Sequence, residues 1–289
     1  MKKVLIWGAG KSYTLHYNLI KYFEKLHQYE VVGITTNDVP TTGRINEYMY
    51  VGKGEIAEGG VDFDYVLVAL EKPREIISEA GCMNISSDKL IPISVLDIPF
   101  FDFDKYVKIR ENRISIVSQM CFGGILYHRL GMKFLSPTVN LFFNEGDFVK
   151  LTENFENYMS LEVRYLKEGF NDFLNREYPV GYLKDIEIHF NHDTDFMAAK
   201  DKWVKRRERI NYEKLLFVSY TENEETADRL SSMEGRRQLI FTSFKSDIPN
   251  TIYLQKTNKY SGNFGMMVND LANGYRNDYS ILDLLEKNI

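Results

Sequence analysis

The sequence has few cysteines and no long hydrophobic run. Cys82 and Cys121 are its only cysteines, so the chain cannot build a disulfide framework and fits a reducing compartment. The longest unbroken apolar run, residues 65–70, is far shorter than the ~18 residues that indicate a membrane helix. The apolar run before the first glycine covers only residues 4–7, whereas a signal peptide core needs ~7–15. We therefore expect a cytoplasmic protein with no transmembrane segment.

The chain also lacks an excess of positive charge, low-complexity tracts and internal repeats. Its net charge of -5 argues against nucleic acid as the main partner. Hydrophobic residues at 44% and charged residues at 27% lie near globular averages, which excludes a disordered chain, a coiled coil and a collagen. Since a typical domain has ~150 residues, the length of 289 residues predicts two domains.

Strands and helices alternate in the first part of the chain. Strands are predicted at 3–7, 30–35, 63–70 and 90–93, and helices after the turn Gly8-Ala9-Gly10-Lys11-Ser12 and at 73–80. Ser12 is the predicted N-cap of the first helix. Strands that alternate with helices are typical of a parallel, doubly wound sheet.

The second part starts again with strand, glycine turn and helix. Strands are predicted at 113–118, 138–143, 184–190, 214–220, 237–244 and 251–256, and helices up to Leu130 and at 147–158, 195–210, 224–233 and 279–287. The segment 100–112 has no clear period and marks the domain boundary. We therefore predict two Rossmann-like, three-layer α/β domains with mainly parallel sheets, residues 1–105 and 106–289.

The first glycine turn has the right position for a phosphate but lacks the standard motifs. Gly8 and Gly10 join a strand to a helix, so their amides and the helix dipole can hold a phosphate together with Ser12. Leu5 stands where a Walker A loop needs glycine, and Tyr13 stands at the third glycine of the dinucleotide fingerprint. Two interpretations stay open, a nucleotide or nucleotide-sugar site and a purely structural turn. The cofactor is unknown.

The second glycine turn carries a cysteine. Cys121 precedes Gly123 and Gly124 at a predicted helix N-terminus, where the macrodipole favours a thiolate and free amides favour an anion. His128 lies inside that helix. A cysteine with a histidine nearby can be a nucleophile and its base, whereas a free cysteine is most often a small buried hydrophobe. Both interpretations stay open for Cys121.

The densest polar cluster is the segment 185–195, which holds two of the five histidines. His189 and His192 share a face only if the predicted strand ends near Phe190 and the chain turns. That turn would lie at the carboxyl end of a strand, where open α/β sheets bind ligands. His192 is the candidate general acid or base, and a structural histidine is the alternative. A metal would need the donors His189, His192, Asp193 and Asp195. Their spacing matches no standard motif, so we predict no tightly bound metal.

The next helix is basic in an acidic protein. Six lysines and arginines against two acidic residues give the segment 200–209 a local balance of +4. At ~100° per residue, Arg206 borders the apolar stripe and Arg209 lies on the ridge beside it. An arginine at the edge of a core presents a fixed fork to phosphate or carboxylate, which lysine cannot. The alternative is a solvated basic face.

The chain resembles a bacterial family of unassigned biochemistry that is usually described as exopolysaccharide biosynthesis proteins. The resemblance rests on five ordered motifs: Ile114 to Gly124, Ser136-Pro-Thr, Tyr178-Pro-Val-Gly181, His189-Phe-Asn-His192, and Trp203-x-x-Arg206-x-x-Arg209-Ile-Asn211. Phe122 and Asp193 stand where the family pattern has tryptophan and tyrosine. The residues before these motifs are similar to nucleotide-sugar-type Rossmann domains. The resemblance implies a part in making or decorating a surface polysaccharide, and it brings no assigned catalytic step.

Two functional hypotheses follow. The leading one is a transferase that acts on an activated sugar or a glycan, with phosphate held by the N-terminal turn or the basic helix and His192 as acid or base. The alternative is a noncatalytic module that binds a nucleotide-sugar or another anion and organises biosynthetic enzymes. A metal-dependent hydrolase is the third.

These hypotheses carry two geometric predictions. If strands 113–118 and 184–190 belong to one parallel sheet, the loops that follow them emerge at the same carboxyl edge. One pocket would then collect the candidate residues Cys121, Gly123, Gly124, His192, Arg206 and Arg209. Gly8 and Gly10 are likewise predicted to line a groove at the carboxyl edge of the first sheet.

Overall fold

Parallel sheets accompanied by helices make the chain a mixed α/β protein. The computed structural model describes residues 1–70, 73–172, 174–255, 263–276 and 278–288. The chain divides into two compact units, Met1–Val107 and Lys108–Ile289. Among the helices within these ranges, none combines the length and apolar character that crossing a membrane requires.

The first unit is built around a parallel sheet. Its elements are β1 (Lys2–Trp7), α1 (Lys11–Lys25), β2 (Tyr29–Thr35), β3 (Arg44–Ile45), β4 (Tyr48–Met49), α2 (Lys53–Ala57), β5 (Tyr65–Val68), α3 (Pro73–Cys82), β6 (Leu90–Pro92) and α4 (Phe103–Glu111), with 3-10 turns at Ser87–Lys89 and Ile93–Asp97. Helix α4 spans the division between the units. The strand order is β2-β1-β5-β6. Four successive residues of β1 and all of β5 are buried, as expected where both faces of a parallel sheet are covered.

The second unit contains a parallel and an antiparallel sheet. Its elements are β7 (Ser115–Ser118), α5 (Phe122–Arg129), α6 (Glu145–Glu153), α7 (Phe155–Ser160), β8 (Arg164–Asn171), β9 (Arg176–Leu183), β10 (Ile186–His189), α8 (Phe196–Arg207), β11 (Leu215–Thr221), α9 (Glu224–Ser231), β12 (Gln238–Thr242), β13 (Thr251–Tyr253), α10 (Phe264–Ala272) and α11 (Ile281–Glu286), with a 3-10 turn at Tyr212–Lys214. The parallel sheet has the order β13-β12-β11-β7, and the antiparallel sheet has the order β10-β9-β8.

The antiparallel sheet contradicts one premise of the sequence analysis. Strand β10, predicted to belong to the parallel sheet, pairs with β9 in antiparallel register. Strands β8 and β9 were not predicted at all, for physical reasons. Most of β8 is exposed, so its sequence shows no buried face, and β9 contains Pro179 and Gly181, which weaken a strand prediction.

The predicted strand 138–143 is wrong, but part of it connects the two sheets. Phe142 forms an isolated antiparallel bridge with His189 of β10, with backbone hydrogen bonds of 3.0 Å in both directions. The next residue, Phe143, donates its N–H to the carbonyl of Gln119, just beyond β7. A short irregular segment therefore joins β10 to the carboxyl end of β7.

Several predicted boundaries are also corrected. Helix α1 begins at Lys11 with Gly10 as its N-cap, so Ser12 lies inside the helix and is not the cap. The helix predicted at 147–158 is two helices, α6 and α7, separated at Asn154. Lys256, the predicted end of the last strand, lies outside the described residues.

Candidate active site

The turn after β7 places Cys121 at the N-terminus of α5. The Ser118 hydroxyl donates to the carbonyl of Met120 at 2.7 Å and accepts the N–H of Gly123 at 3.1 Å. A Cβ on Gly123 would lie 2.7 Å from that hydroxyl oxygen, so the turn closes tightly only with glycine at this position. Cys121 is the N-cap residue that precedes Phe122, the first residue of the helix.

His192 reaches the same place from the antiparallel sheet. It follows β10, whose last residue is bridged to Phe142, and Phe143 is bonded to Gln119 beside the cysteine turn. Strand β10 ends at His189, so the chain can turn near Phe190, as the sequence analysis required for His192 to reach a site. Asp193 donates its N–H to the carbonyl of Phe190 at 2.9 Å, which closes this turn. A turn at the end of β10 therefore presents His192.

Cys121 and His192 form a pair that we call the cysteine–histidine pair. The distance from Sγ to Nε2 is 3.3 Å, which is hydrogen-bond distance for sulfur. Burial raises the pKa of the Cys121 thiol to about 11. Burial, followed by the nearby charge of Arg176, lowers the pKa of His192. At neutral pH a protonated thiol therefore faces a neutral imidazole, and the tautomer of His192 sets which of the two groups donates. His128, the other histidine considered, is exposed near the end of α5.

The two glycines of the turn lie within the first turn of α5 and are buried. The N–H of Gly123 is already bonded to Ser118. Gly124 packs against the segment before Phe142, since an added Cβ would lie 2.9 Å from Asn140 Oδ1 and 3.0 Å from Val139 Cγ1. In the structure as it stands, these glycines serve close packing, and one of their amides is already bonded within the protein.

The two arginines of the basic helix have different surroundings. Arg206 donates from Nη1 to the carbonyl of Val139 at 2.8 Å, and its guanidinium lies 5.4 Å from the centre of the Phe134 ring. It thus contacts the same segment that Gly124 contacts. Arg209 is exposed. Across the part of the chain that the structure describes, no hydrogen bond or ion pair joins either arginine to His192.

The other candidate metal donors of the segment 185–195 have separate partners. His189 is buried, stacks on Phe142 at 4.3 Å between ring centres, and places Nδ1 3.1 Å from the Tyr178 hydroxyl. Asp193 forms an ion pair with Lys202. Asp195 caps α8 by accepting the N–H of Ala198 at 2.7 Å. Within the described ranges, no group of three or more histidine, cysteine or acidic side chains is placed to hold a metal ion.

One residue near the pair was missed by the sequence analysis. Arg176, the first residue of β9, donates from Nη2 to the carbonyl of Asn191 at 3.4 Å. Asn191 directly precedes His192. Nothing in a single sequence marks this arginine, because it starts a strand that the polarity pattern does not reveal.

The first glycine turn differs from the second in what its amides do. Gly8 is buried with φ +108°, and its N–H donates to the carbonyl of Thr35 at 2.8 Å. Gly10 is exposed and caps α1 without a side-chain hydrogen bond. The turn lies at the carboxyl end of β1, between β2 and β5, where the strand order changes direction. Open α/β sheets bind ligands at such positions.

A surface cavity of the first unit lies at the other edge of its sheet. Its volume is 310 Å³, and its lining includes Asp62, Phe63 and Lys89, which precede β5 and β6. That is the amino edge, away from Gly8 and Gly10. The groove predicted at the carboxyl edge stays a prediction.

The fold and the cysteine–histidine pair define a two-unit α/β protein with a candidate nucleophile at a helix N-terminus. Residues 93–280 match the family model described as domain of unknown function (DUF1919), and residues 1–91 match the model described as C2185-like, N-terminal. The first match covers more than half of the chain, so the protein belongs to the DUF1919 family. An uncharacterized protein of Haemophilus influenzae is similar, with 27% identity over 139 residues, 47% of this chain and 64% of that protein.

Proposed function

We propose that the protein is a group transferase that acts on an activated sugar or a glycan in surface polysaccharide biosynthesis, in the cytoplasm. Cys121 is the nucleophile and His192 is its base. The observation that carries this proposal is the 3.3 Å distance between Sγ and Nε2. A nucleophile and a base within hydrogen-bond reach are the structural signature of covalent catalysis. The resemblance to exopolysaccharide proteins supports the choice of substrate class.

The protonation states set the order of events. The thiol keeps its proton until a donor binds, and Nε2 of His192 accepts that proton as the sulfur attacks the electrophilic carbon of the donor. The leaving group departs with the electron pair of the broken bond and takes the proton from His192. The acceptor hydroxyl then gives its proton to His192 and displaces the sulfur, which recovers the proton as a thiol.

In this proposal the first unit is a Rossmann-like domain that binds a nucleotide or a nucleotide-sugar at its own glycine turn. The strand order β2-β1-β5-β6 and the position of Gly10 support this role. The first turn of α1 contains no acidic residue and no side-chain cap, so its N–H groups can meet a phosphate. Gly8 shapes the turn and has its own N–H bonded to Thr35.

A noncatalytic nucleotide-sugar or anion-binding module is the second candidate. The observation that favours it is the partial burial of Cys121, which raises the pKa of the thiol to about 11. Reactive cysteines usually have a lowered pKa, whereas buried structural cysteines are inert. The two candidates differ in whether His192 accelerates chemistry at Cys121.

The chain offers a matched control for that question, because Cys82 is a second free cysteine and is exposed. We would measure alkylation of each cysteine by iodoacetamide at pH 7.5, using peptide mass spectrometry. In the transferase, replacing His192→Gln slows alkylation of Cys121 by roughly 10-fold or more, as expected when a general base is lost. Alkylation of Cys82 stays unchanged. Equal rates at Cys121 with and without His192 would favour the noncatalytic module.

The substrate class is tested separately by thermal stability with nucleotide-sugars, acyl-CoA, NAD and divalent metals. A ligand at 100 times its dissociation constant adds about 2.7 kcal/mol to the free energy of unfolding. A donor that stabilises the protein is then incubated with wild type, Cys82→Ser and Cys121→Ser. A mass gain equal to the transferred group, absent only in Cys121→Ser, identifies the reaction.

A further inference from the structure

Arg176 is a positive charge without a carboxylate partner beside the cysteine–histidine pair. Its guanidinium is held by the carbonyl of Asn191, the residue before His192, at 3.4 Å. Its charge also acts on His192, where it helps to lower the pKa of the imidazole. Within the described residues, no aspartate or glutamate lies within ion-pair distance of Arg176. The positive charge is therefore open to an anion from outside the chain.

Two polar atoms at the same place are shielded from solvent and have no hydrogen-bond partner among the described residues. They are Nε of Arg176, a charged donor, and Oδ1 of Asn191, an acceptor. Most buried polar atoms in folded proteins have a partner, and an unsatisfied one costs about 1–3 kcal/mol. A donor and an acceptor near His192 are thus left without a hydrogen-bond partner inside the protein.

The two arginines of the basic helix, Arg206 and Arg209, are less suited to bind an anion beside His192. The guanidinium of Arg206 is bonded to the Val139 carbonyl and stacked on Phe134, and the charge of Asp193 acts on it. Arg209 is exposed, and among the described residues no hydrogen bond or ion pair joins it to the pair. Of these three arginines, Arg176 is the one that combines a free charge with a position next to His192.

We propose that Arg176 binds an oxyanion of the ligand, a phosphate or a carboxylate, beside Cys121 and His192, and that Asn191 Oδ1 accepts a hydroxyl of the same ligand. The planar guanidinium suits both oxyanions because its donors match their paired oxygens. That this ligand is a substrate rests on the proposed function. Its binding at Arg176 requires no reaction. Sugar phosphates and uronic acids carry this combination of oxyanion and hydroxyl groups.

The experiment uses the full chain and follows the titration of the His192 ring by NMR, with the signal assigned from His192→Gln. The probes are inorganic phosphate, glucose 1-phosphate and glucuronate, each up to 20 times its measured dissociation constant or to about 50 mM. An anion bound at Arg176 raises the pKa of His192, because it offsets the positive charge that lowers that pKa. Calorimetry gives the dissociation constant of each probe.

We expect Arg176→Gln to weaken the bound probe about 10- to 100-fold and Arg176→Lys to weaken it less, since lysine keeps the charge and loses the fork. Arg164→Gln is the matched control, because Arg164 is an exposed arginine of the same antiparallel sheet. It should leave both the affinity and the His192 shift unchanged. Circular dichroism and the melting temperature establish that each variant is folded.

Glucose 1-phosphate and glucuronate separate the two possible oxyanions, and a gain over inorganic phosphate supports the contact of Asn191 with a hydroxyl. If none of the probes shifts the His192 titration, or if the affinity survives in Arg176→Gln, the anion site is overturned. Binding that depends on Arg206 instead also overturns it. The test is independent of catalysis, because it measures anion binding and the titration of His192, and neither requires a reaction at Cys121. Retained binding with an unreactive Cys121 would reject only the proposed function.

Discussion

The two units begin with the same local pattern, strand, glycine turn and helix, yet they use their glycines in opposite ways. Gly8 has φ +108° and lets the backbone approach the end of β5, where Ala69 O would lie 2.9 Å from an added Cβ. Gly123 and Gly124 have ordinary helical conformations and provide close packing around Cys121. Gly10 of the first turn is exposed to solvent, whereas the second turn places Cys121 beside His192.

The surroundings of the turns explain the rest of the difference. The first turn is bonded to the end of β2 through Thr35 and lies close to Ala69, just after β5. The second receives His192 from an antiparallel sheet that lies between β7 and β11 in the sequence. The two turns are similar, but the second lies next to a candidate base because the antiparallel sheet places His192 beside it. The variants below compare the turns directly.

The largest effect should come from the first turn. We expect Gly8→Ala to destabilise the first unit by about 2–4 kcal/mol, because the residue would have to keep a positive φ and its Cβ would lie 2.7 Å from Leu70 Cδ2. Gly10→Ala, with nothing within 4 Å of the added Cβ, should change stability by less than about 0.5 kcal/mol. Urea unfolding followed through Trp7, in a Trp203→Phe background, measures both. Equal losses of stability in Gly8→Ala and Gly10→Ala would contradict this prediction.

The second turn should be less sensitive. Gly123→Ala should cost about 1–3 kcal/mol, since the added Cβ meets the Ser118 hydroxyl at 2.7 Å while the backbone stays relaxed. Gly146→Ala in α6, where the added Cβ meets nothing, should stabilise by about 0.5–1 kcal/mol through helix propensity. Trp203 fluorescence in a Trp7→Phe background reports this unit. A Gly123→Ala variant as stable as wild type would show that the turn can relax.

The basic helix provides a third comparison, between a packed arginine and an exposed one. Arg206→Lys should destabilise the second unit by about 0.5–1.5 kcal/mol, because lysine cannot keep both the Val139 contact and the stacking on Phe134. Arg209→Lys should lie within about 0.5 kcal/mol of wild type. Thermal unfolding checks both variants. An Arg206→Lys variant that is as stable as wild type but no longer binds an anion would support the sequence-based prediction that the Arg206 guanidinium binds the ligand.

The smallest effect is a pH dependence in the second unit. Burial lowers the pKa of His189 below its ordinary value of 6.5, so the folded state binds this proton less readily than the unfolded state. Its contribution to stability is complete above pH 6.5 and is lost as the pH falls from there through the folded-state pKa. The free energy of unfolding, measured between pH 8 and 5, should fall on acidification with a slope that His189→Gln reduces.

His128 serves as the control for that titration, because it is an exposed histidine of the same unit. His128→Gln should retain the acid slope of wild type. A slope that is the same in wild type and in His189→Gln would assign the acid sensitivity to other groups. Trp203 fluorescence again confines the measurement to the second unit.

The sequence by itself determined the elements with strong apolar patterns and their mixed α/β character. The buried runs of β1, β5 and β11 and the glycine turns after β1 and β7 can be predicted because local pattern and tertiary environment agree there. It also supplied Cys121 and His192 as candidates. The reason given for their meeting was wrong, since β10 is not part of the parallel sheet.

Only the tertiary structure decided which candidates meet. The bridge of Phe142 to His189 and the bond of Phe143 to Gln119 bring His192 to Cys121, and neither contact follows from residue spacing. Arg176 lies beside His192 because it begins β9 and bonds to the Asn191 carbonyl. The sequence does not reveal β9, because the strand contains a proline and a glycine and pairs with the mostly exposed strand β8. The pairing of strands that are distant in the sequence depends on their register. The pattern of polar and apolar residues specifies that register only where one face of a strand is buried, and β8 has no buried face.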